Sequence, residues 1–223
     1  MKLFRTLTFF LAVLLASAQV RAGDVIYSCA GEEKRIALTF DDGPHPVHTR
    51  EILDILAEYG VRATFFVVGE NAERYPELLE AEARAGHEIG NHSYTHTNLR
   101  QANGTTVARE IDEGERAIYE IFEYRTRLLR PPGGCVGKEL LEEAEARDYR
   151  IVCWSVDTRD WAHTPVKQIT EKVLREASGG DILLFHDYIA GDSPTPEALR
   201  AVIPKLLKEG YQFVTVSELI GIR

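Results

Sequence analysis

Short apolar runs that alternate with amphipathic segments are the feature that most restricts how this chain can fold. Seven runs rich in β-branched, aliphatic and aromatic residues have the character of strands covered on both faces. They span residues 35–40, 63–68, 88–90, 128–130, 151–156, 181–185 and 211–216. Helical patterns lie between them, the longest over 105–124. This order predicts parallel strands joined by helical crossovers.

Polar residues at the strand ends distinguish between the two architectures that fit this alternation, a closed barrel and an open doubly wound sheet. In a barrel the carboxyl ends of the strands converge on one face, whereas an open sheet spreads them along an edge. The residues at or just after predicted strand ends are Asp41, Asp42, His92, Arg130, Asp157 and His186. We therefore expect an α/β fold, a distorted (β/α) barrel of about seven parallel strands in a single domain.

The N-terminus has the order of a secretory signal. Lys2 and Arg5 precede an apolar stretch over 7–15, and small residues follow at 16–18. We expect residues 1–22 to be a signal peptide, 23–33 an N-terminal linker, and the mature protein to be secreted or associated with the cell envelope. The alternative is an uncleaved signal that holds the protein at the membrane. The apolar stretch is shorter than the about 20 residues of a membrane span, so none is expected after signal removal.

Composition and charge exclude some functions. The chain has 223 residues, of which 44% are hydrophobic and 27% charged, enough for a sizeable core. Its formal net charge of −9 argues against a nucleic-acid partner, because phosphate binding needs a basic face. The cysteines Cys29, Cys135 and Cys153 lack the short spacing of a thiolate zinc site. A disulfide between Cys135 and Cys153 is a hypothesis for an exported chain.

Two clusters have the composition of a metal site. Asp41 and Asp42 are adjacent carboxylates at a strand end, which repel each other unless a cation or a catalytic role compensates. His92 and His96 have the i, i+4 spacing that places two imidazoles on one face of a helical turn. With Asp42 they would form a two-histidine, one-carboxylate site with an open position for water. Each cluster alone is also compatible with a polar surface loop.

Five short motifs follow one another along the chain. They are TFDDG at 39–43, HSYTH at 92–96, RPPGG at 130–134, DTRDW at 157–161 and LFH at 184–186. In this order they resemble the motifs of the NodB-homology polysaccharide deacetylases, a carbohydrate esterase family with a distorted barrel fold. The resemblance covers residues 34–219. The family's third motif often has an aromatic residue where this chain has Gly133.

The resemblance implies a metal and a catalytic base. Asp42, His92 and His96 would bind a divalent metal, zinc in the first place, with cobalt or nickel as alternatives. Asp41, the carboxylate that does not bind the metal, would take a proton from the attacking water. Arg130 would pair with Asp41 and keep it ionised.

It also implies how the amine is released and the substrate held. His186 would protonate the leaving amine, and Asp160 would orient His186. The backbone N–H of Gly133 would stabilise the oxyanion, while Trp161 and Leu184 would form the walls of a pocket for the acetyl methyl group. The substrate-binding candidates are therefore Gly133, Trp161, Leu184 and Asp157.

The function predicted from the resemblance is metal-dependent removal of N-acetyl groups from amino sugars of a glycan polymer, first of all the GlcNAc or MurNAc of peptidoglycan. Chitooligosaccharide deacetylation and O-acetyl xylan esterase activity are the alternatives among enzymes. A glycan-binding protein that has lost catalysis is an alternative of another class, but neither histidine, Asp41 nor His186 has been lost. A zinc peptidase would need an H-E-x-x-H helix, which the sequence lacks.

Overall fold

The computed structural model describes residues 20–29, 31 and 34–222. Of the predicted signal peptide, residues 1–19 lie outside the described residues. The strands are β1 (Val25–Ile26), β2 (Arg35–Asp41), β3 (Thr64–Val67), β4 (Glu88–Asn91), β5 (Leu128–Leu129), β6 (Arg150–Val152), β7 (Val156–Asp157), β8 (Ile182–His186) and β9 (Gln212–Val214). The helices are α1 (His48–Tyr59), α2 (Gly69–Arg74), α3 (Pro76–Arg84), α4 (Gly104–Phe122), α5 (Lys138–Ala146), α6 (Val166–Glu176), α7 (Thr195–Lys208) and α8 (Val216–Ile220).

The strands form one sheet in the order β1-β6-β5-β4-β3-β2-β8-β7, and every strand pair in it is parallel. β9 pairs with the first residues of β2. All seven predicted strands are present, and the prediction of a distorted single-domain (β/α) barrel is confirmed.

The predicted strand over 151–156 is divided in two. β6 pairs with β5, whereas β7 pairs with β8, so the three residues between them cross from one end of the sheet to the other. The chain itself therefore bridges the opening where the barrel does not close by strand pairing. This interruption is the distortion of the barrel.

The predicted N-terminal linker contributes structure of its own. Within residues 23–33, β1 pairs with β6, and Ser28 forms a bridge to Asp181. The segment thus adds an edge strand to the sheet. Among the described residues, no helix is long and apolar enough to cross a membrane.

The alternation of side chains along β2 separates an outer core from an inner one. Ile36, Leu38 and Phe40 belong to the large cluster that packs against α1 and α7. Ala37, on the other face, belongs to the smaller cluster inside the barrel. Because successive side chains of a strand point to opposite faces, Thr39 and Asp41 also face the interior. The barrel interior is therefore polar near the carboxyl end of β2.

Cys135 and Cys153 are free thiols, so the hypothesis of a disulfide between them is wrong for this structure. The Sγ of Cys135 donates a weak hydrogen bond to the backbone oxygen of Gly133 in its own loop, with an S···O distance of 3.7 Å. Cys153 lies in the crossing between β6 and β7 and is 2% exposed.

We therefore expect both cysteines to be alkylated when the non-reduced protein is denatured and treated with iodoacetamide. Neither thiol is disulfide-bonded: Cys135 Sγ contacts the backbone oxygen of Gly133, and the Cys153 thiol interacts with the side chain of Tyr27. Peptide mass spectrometry measures the modification. A cross-linked peptide pair through Cys135 and Cys153 would contradict this expectation.

Candidate metal and catalytic centre

Three potential metal ligands converge at the carboxyl ends of β2 and β4. Asp42 Oδ1 lies 3.3 Å from His92 Nε2 and 3.1 Å from His96 Nε2. The three ligand atoms all lie within 4.8 Å of one another. Two imidazoles and one carboxylate form a donor set that suits a divalent metal such as zinc.

The state of Asp42 fits a metal ligand. Its Oδ1 is buried and accepts no hydrogen bond from a described residue, which is costly for a carboxylate oxygen without a cation. Burial raises the pKa of Asp42, but the imidazoles of His92 and His96 lower it by more, so the pKa lies well below its usual range. The carboxylate is therefore ionised, as metal coordination requires.

A backbone contact fixes the tautomer of His92. Its Nδ1 lies 2.7 Å from the backbone oxygen of Arg130. A carbonyl oxygen can only accept, so Nδ1 carries a proton, and Nε2, 3.3 Å from Asp42 Oδ1, is the nitrogen left to bind a metal. Such an outer contact orients a histidine ligand and raises its basicity.

The segment from His92 to His96 is a loop, and the expected helical turn is wrong. Ser93 and His96 have φ angles of 65° and 59°, in the left-handed region that a right-handed helix excludes. Asn91 Oδ1 accepts the N–H of Ser93 at 2.9 Å, and Ser93 Oγ accepts the N–H of His96 at 3.1 Å. The two imidazoles therefore converge through a specific loop conformation.

Asp41 and Arg130 form a buried ion pair inside the barrel. Arg130 Nη1 donates to Asp41 Oδ1 at 2.6 Å and to Thr39 Oγ1 at 2.9 Å. Its Nε and Nη2 donate to the backbone oxygens of Val152 and Cys153 at 3.1 and 3.0 Å. Arg130 is fully buried and Asp41 is 3% exposed.

The second oxygen of Asp41 faces the metal ligands. Asp41 Oδ2 lies 3.7 Å from His92 Nε2, while Oδ1 is held by Arg130. Asp42 supplies one of the three clustered ligand atoms and Asp41 lies beside them, while the division of roles between the two aspartates stays a prediction.

His186 stands directly opposite Asp41 on the neighbouring strand, since the two residues are partners in the β2–β8 register. Its Nδ1 lies 2.8 Å from Asp160 Oδ1, and its backbone N–H donates to Asp160 Oδ2 at 2.7 Å. Thr195 Oγ1 donates to the same Oδ2 at 2.6 Å. Burial lowers the pKa of His186, but the Asp160 carboxylate outweighs it and raises that pKa to about 9.

The substrate-binding candidates lie at different depths. Gly133 is exposed, with φ of 63°, in a 3₁₀ turn over Pro132–Gly134. Trp161 is 50% exposed and Leu184 only 2% exposed. Asp157 is half-buried and accepts the backbone N–H of Arg159 at 2.8 Å. The pocket that Trp161 and Leu184 were expected to form stays a prediction.

Asp187 is a member of the site that the motif analysis missed. It is 1% exposed, and its Oδ2 accepts the hydroxyl of Thr49 at 2.5 Å. A Cβ at Gly43 would lie 2.0 Å from that oxygen, so only glycine fits beneath the Asp41–Asp42 turn. Burial raises the pKa of Asp187 to about 7. Because Asp187 follows a predicted strand, the strand-end argument could have found it.

Glu110 was also missed. This carboxylate of α4 is 1% exposed and accepts hydrogen bonds from the loop that carries His96. It lies in the middle of a helix, where a glutamate is usually solvated, so its sequence context contains no signal for this role.

Comparisons with known proteins place the chain beside a family of known activity. The family described as polysaccharide deacetylase matches residues 29–152. A peptidoglycan-N-acetylglucosamine deacetylase of Bacillus cereus is 39% identical over 93% of this chain and 98% of the relative. A chitooligosaccharide deacetylase of Sinorhizobium fredii is 37% identical over 79% of this chain and 87% of the relative.

A similar solved structure is that of the Bc1960 peptidoglycan N-acetylglucosamine deacetylase in complex with 4-naphthalen-1-yl-N-oxidanyl-benzamide. It superposes with a TM-score of 0.87 at 35% identity and covers 91% of this chain and 94% of that chain. The sequence relatives and the structural neighbour therefore agree on one family.

Replacing a ligand histidine should remove the metal and leave the fold intact. We expect His92→Ala and His96→Ala to retain far less zinc than the wild type after dialysis, because the site loses one of its three protein ligands. Elemental analysis measures the metal, and circular dichroism the fold. His163→Ala, at an exposed position outside the site, is the control. Full zinc occupancy in both ligand variants would refute the assignment.

Proposed function

The chain belongs to the polysaccharide deacetylase family, and we propose that it removes N-acetyl groups from the amino sugars of peptidoglycan with the help of a zinc ion. One observation carries the proposal. The metal donors, a buried carboxylate beside them and a histidine opposite that carboxylate meet at the carboxyl ends of β2, β4 and β8. Amide hydrolysis needs these groups: an activated water, a base and an acid.

Asp42, His92 and His96 would hold the metal. A divalent metal bound there lowers the pKa of a water molecule and polarises the acetamide carbonyl. Asp41 Oδ2 is directed towards the same place, so Asp41 takes the proton of the attacking water. Arg130 occupies the other oxygen of Asp41 and thereby sets which oxygen accepts the proton.

His186 supplies the proton that the departing amine needs. With a pKa of about 9, it is protonated at neutral pH, and its Nε2 is free to donate because Asp160 binds Nδ1. A sugar amine is a poor leaving group until it is protonated. The arrangement therefore suits the release of a sugar amine from an N-acetyl substrate.

Peptidoglycan is the proposed substrate because the Bacillus cereus relative, which is similar to this chain over nearly its whole length, is named as a peptidoglycan-N-acetylglucosamine deacetylase. The predicted signal peptide supports the same conclusion, since an exported enzyme meets the cell wall. Chitooligosaccharides share the N-acetylglucosamine unit and remain the second candidate. The proposed place of action is the cell envelope.

Amine release from purified peptidoglycan, chitooligosaccharides and acetylated xylan tests the proposal. We expect zinc-loaded protein to release amines from peptidoglycan fastest, and metal-free protein to release none. Asp41→Asn is the matched control: it should keep the metal and lose turnover by about a hundredfold or more. Asp42→Asn should instead weaken metal binding.

Three results would count against the proposal. No release from any glycan with metal bound would end the deacetylase assignment. Faster release from chitooligosaccharides than from peptidoglycan would make chitooligosaccharides the preferred substrate. Loss of metal from Asp41→Asn, with metal retained in Asp42→Asn, would exchange the roles of the two aspartates.

The pair formed by His186 and Asp160 should set the alkaline limit of activity. The acid must be protonated, so activity falls as pH rises through the raised pKa of about 9. In Asp160→Asn the carboxylate that raises this pKa is gone, so the alkaline limb should move to lower pH and the maximum rate should fall.

Rates of amine release from pH 5 to pH 11 measure this limb. Thr195→Val, which removes one hydrogen bond to Asp160 and leaves the carboxylate, is the control and should shift the limb by less. An unchanged alkaline limb in Asp160→Asn would exclude His186 as the acid.

A further inference from the structure

We propose that Glu110 is a positioning residue for the metal site: it holds the histidine loop, residues 92–96, in the one conformation that brings His96 to Asp42. This inference rests on the proposed metal site. Glu110 touches none of the reacting groups and acts through the backbone of the loop.

The histidine loop is held only in part by its own contacts, such as the hydrogen bond from the His96 N–H to Ser93 Oγ. It has left-handed residues at Ser93 and His96 and no helical hydrogen-bond pattern, so its other backbone groups need partners elsewhere. Two of its carbonyls find them at the start of α2. Gly69 N–H donates to the oxygen of Ser93, and Glu70 N–H donates to the oxygen of Tyr94, both at 3.0 Å.

The N–H groups on the other side of the loop converge on Glu110. Its Oε2 accepts the backbone N–H of Thr95 at 2.8 Å and that of Tyr94 at 3.2 Å. Its Oε1 accepts the hydroxyl of Thr95 at 2.9 Å. A buried carboxylate is costly unless donors satisfy it, and the donors here come from the loop itself.

Helix α4 also packs closely against the start of the loop. One turn along α4, a Cβ at Gly114 would lie 2.5 Å from Asn91 Oδ1 and 3.1 Å from the carbonyl carbon of Ser93. Glu110 and Gly114 are four residues apart and so share one face of the helix. That face of the helix packs against the histidine loop. Glu110 contacts Tyr94 and Thr95, and Gly114 leaves room for the start of the loop.

The position of His96 depends on the hydrogen bonds of Glu110 more than the position of His92 does. His92 follows β4 directly, is 1% exposed and is oriented by the carbonyl of Arg130. The side chain of His96 is 45% exposed, and its position follows from the loop backbone that Glu110 holds. Loss of the Glu110 hydrogen bonds should therefore misplace His96 and leave the other two ligands, His92 and Asp42, in place.

Metal affinity measured on metal-free protein tests the role without an activity assay. Cobalt(II) is titrated into wild type, Glu110→Ala and Glu110→Gln, and its visible absorption is followed. Zinc affinity is then measured by competition with a chelator. We expect Glu110→Ala to bind both metals about tenfold to a hundredfold more weakly, as for other outer contacts of metal ligands.

The glutamine variant separates geometry from charge. The amide oxygen of Gln can accept both backbone N–H groups, and its NH₂ can donate to the hydroxyl of Thr95. If Glu110 acts by position, Glu110→Gln keeps affinity within a few-fold of wild type. If it acts only by its negative charge, Glu110→Gln loses as much affinity as Glu110→Ala, and the proposal fails.

Ile118→Ala controls for a general loss of stability. Ile118 is a fully buried residue of α4 in the large hydrophobic cluster, eight residues or about 12 Å along the helix axis from Glu110. Ile118→Ala should lower the melting temperature yet keep the wild-type metal affinity. Equal metal affinity in Glu110→Ala and wild type would overturn the inference, as would an equal loss in Ile118→Ala. Absence of cobalt and zinc binding in the wild type would instead overturn the proposed function itself.

Discussion

The buried ion pair of Arg130 and Asp41 is the interaction on which the rest of the site depends. A guanidinium with no access to water needs partners for its N–H groups, and here they come from three parts of the barrel. Thr39 and Asp41 belong to β2, Val152 ends β6, and Cys153 begins the crossing between β6 and β7. Removing one partner of such a pair typically costs about 3–5 kcal/mol, because a charge is left buried alone.

The same arginine connects Asp41, the proposed base, to His92, a proposed metal ligand. Its side chain holds Asp41, and its backbone oxygen fixes the tautomer of His92. Two groups with different tasks are thus oriented by one residue at the end of β5. The guanidinium binds the backbone oxygens of Val152 and Cys153, where the predicted strand is interrupted. The interruption that distorts the barrel therefore also helps to hold Arg130 in the site.

Two buried carboxylates, Asp160 and Glu110, each hold a neighbouring part of the site in place. Asp160 receives donors from His186, Trp161 and Thr195, and Glu110 receives donors from Tyr94 and Thr95. Both carboxylates are almost fully buried, at 0% and 1% exposure. Asp160 sets the proton affinity of a neighbouring ring, whereas Glu110 sets the shape of a loop. The difference lies in what they contact, an imidazole in one case and backbone N–H groups in the other.

The sequence by itself determined the seven apolar runs that form strands, the face of the barrel on which the polar residues meet, and the residues of the five motifs. Continuous apolar runs and strand-end polar residues are local signals, and they are read correctly because strand formation and burial depend on a few neighbouring residues. Asp41, Asp42, His92, Arg130 and His186 all lie where these signals placed them.

Only the tertiary structure decided how these residues are held. The spacing of His92 and His96 suits a helical turn, but contacts from α2 and α4 stabilise a loop with left-handed residues instead. The run over 151–156 is continuous in sequence, yet it divides where the chain crosses the open barrel. Glu110 lies 18 residues after His92 in the chain and gives no local sign of its role. In each case the deciding hydrogen bonds join segments that are distant in sequence, and local patterns contain no information about such contacts.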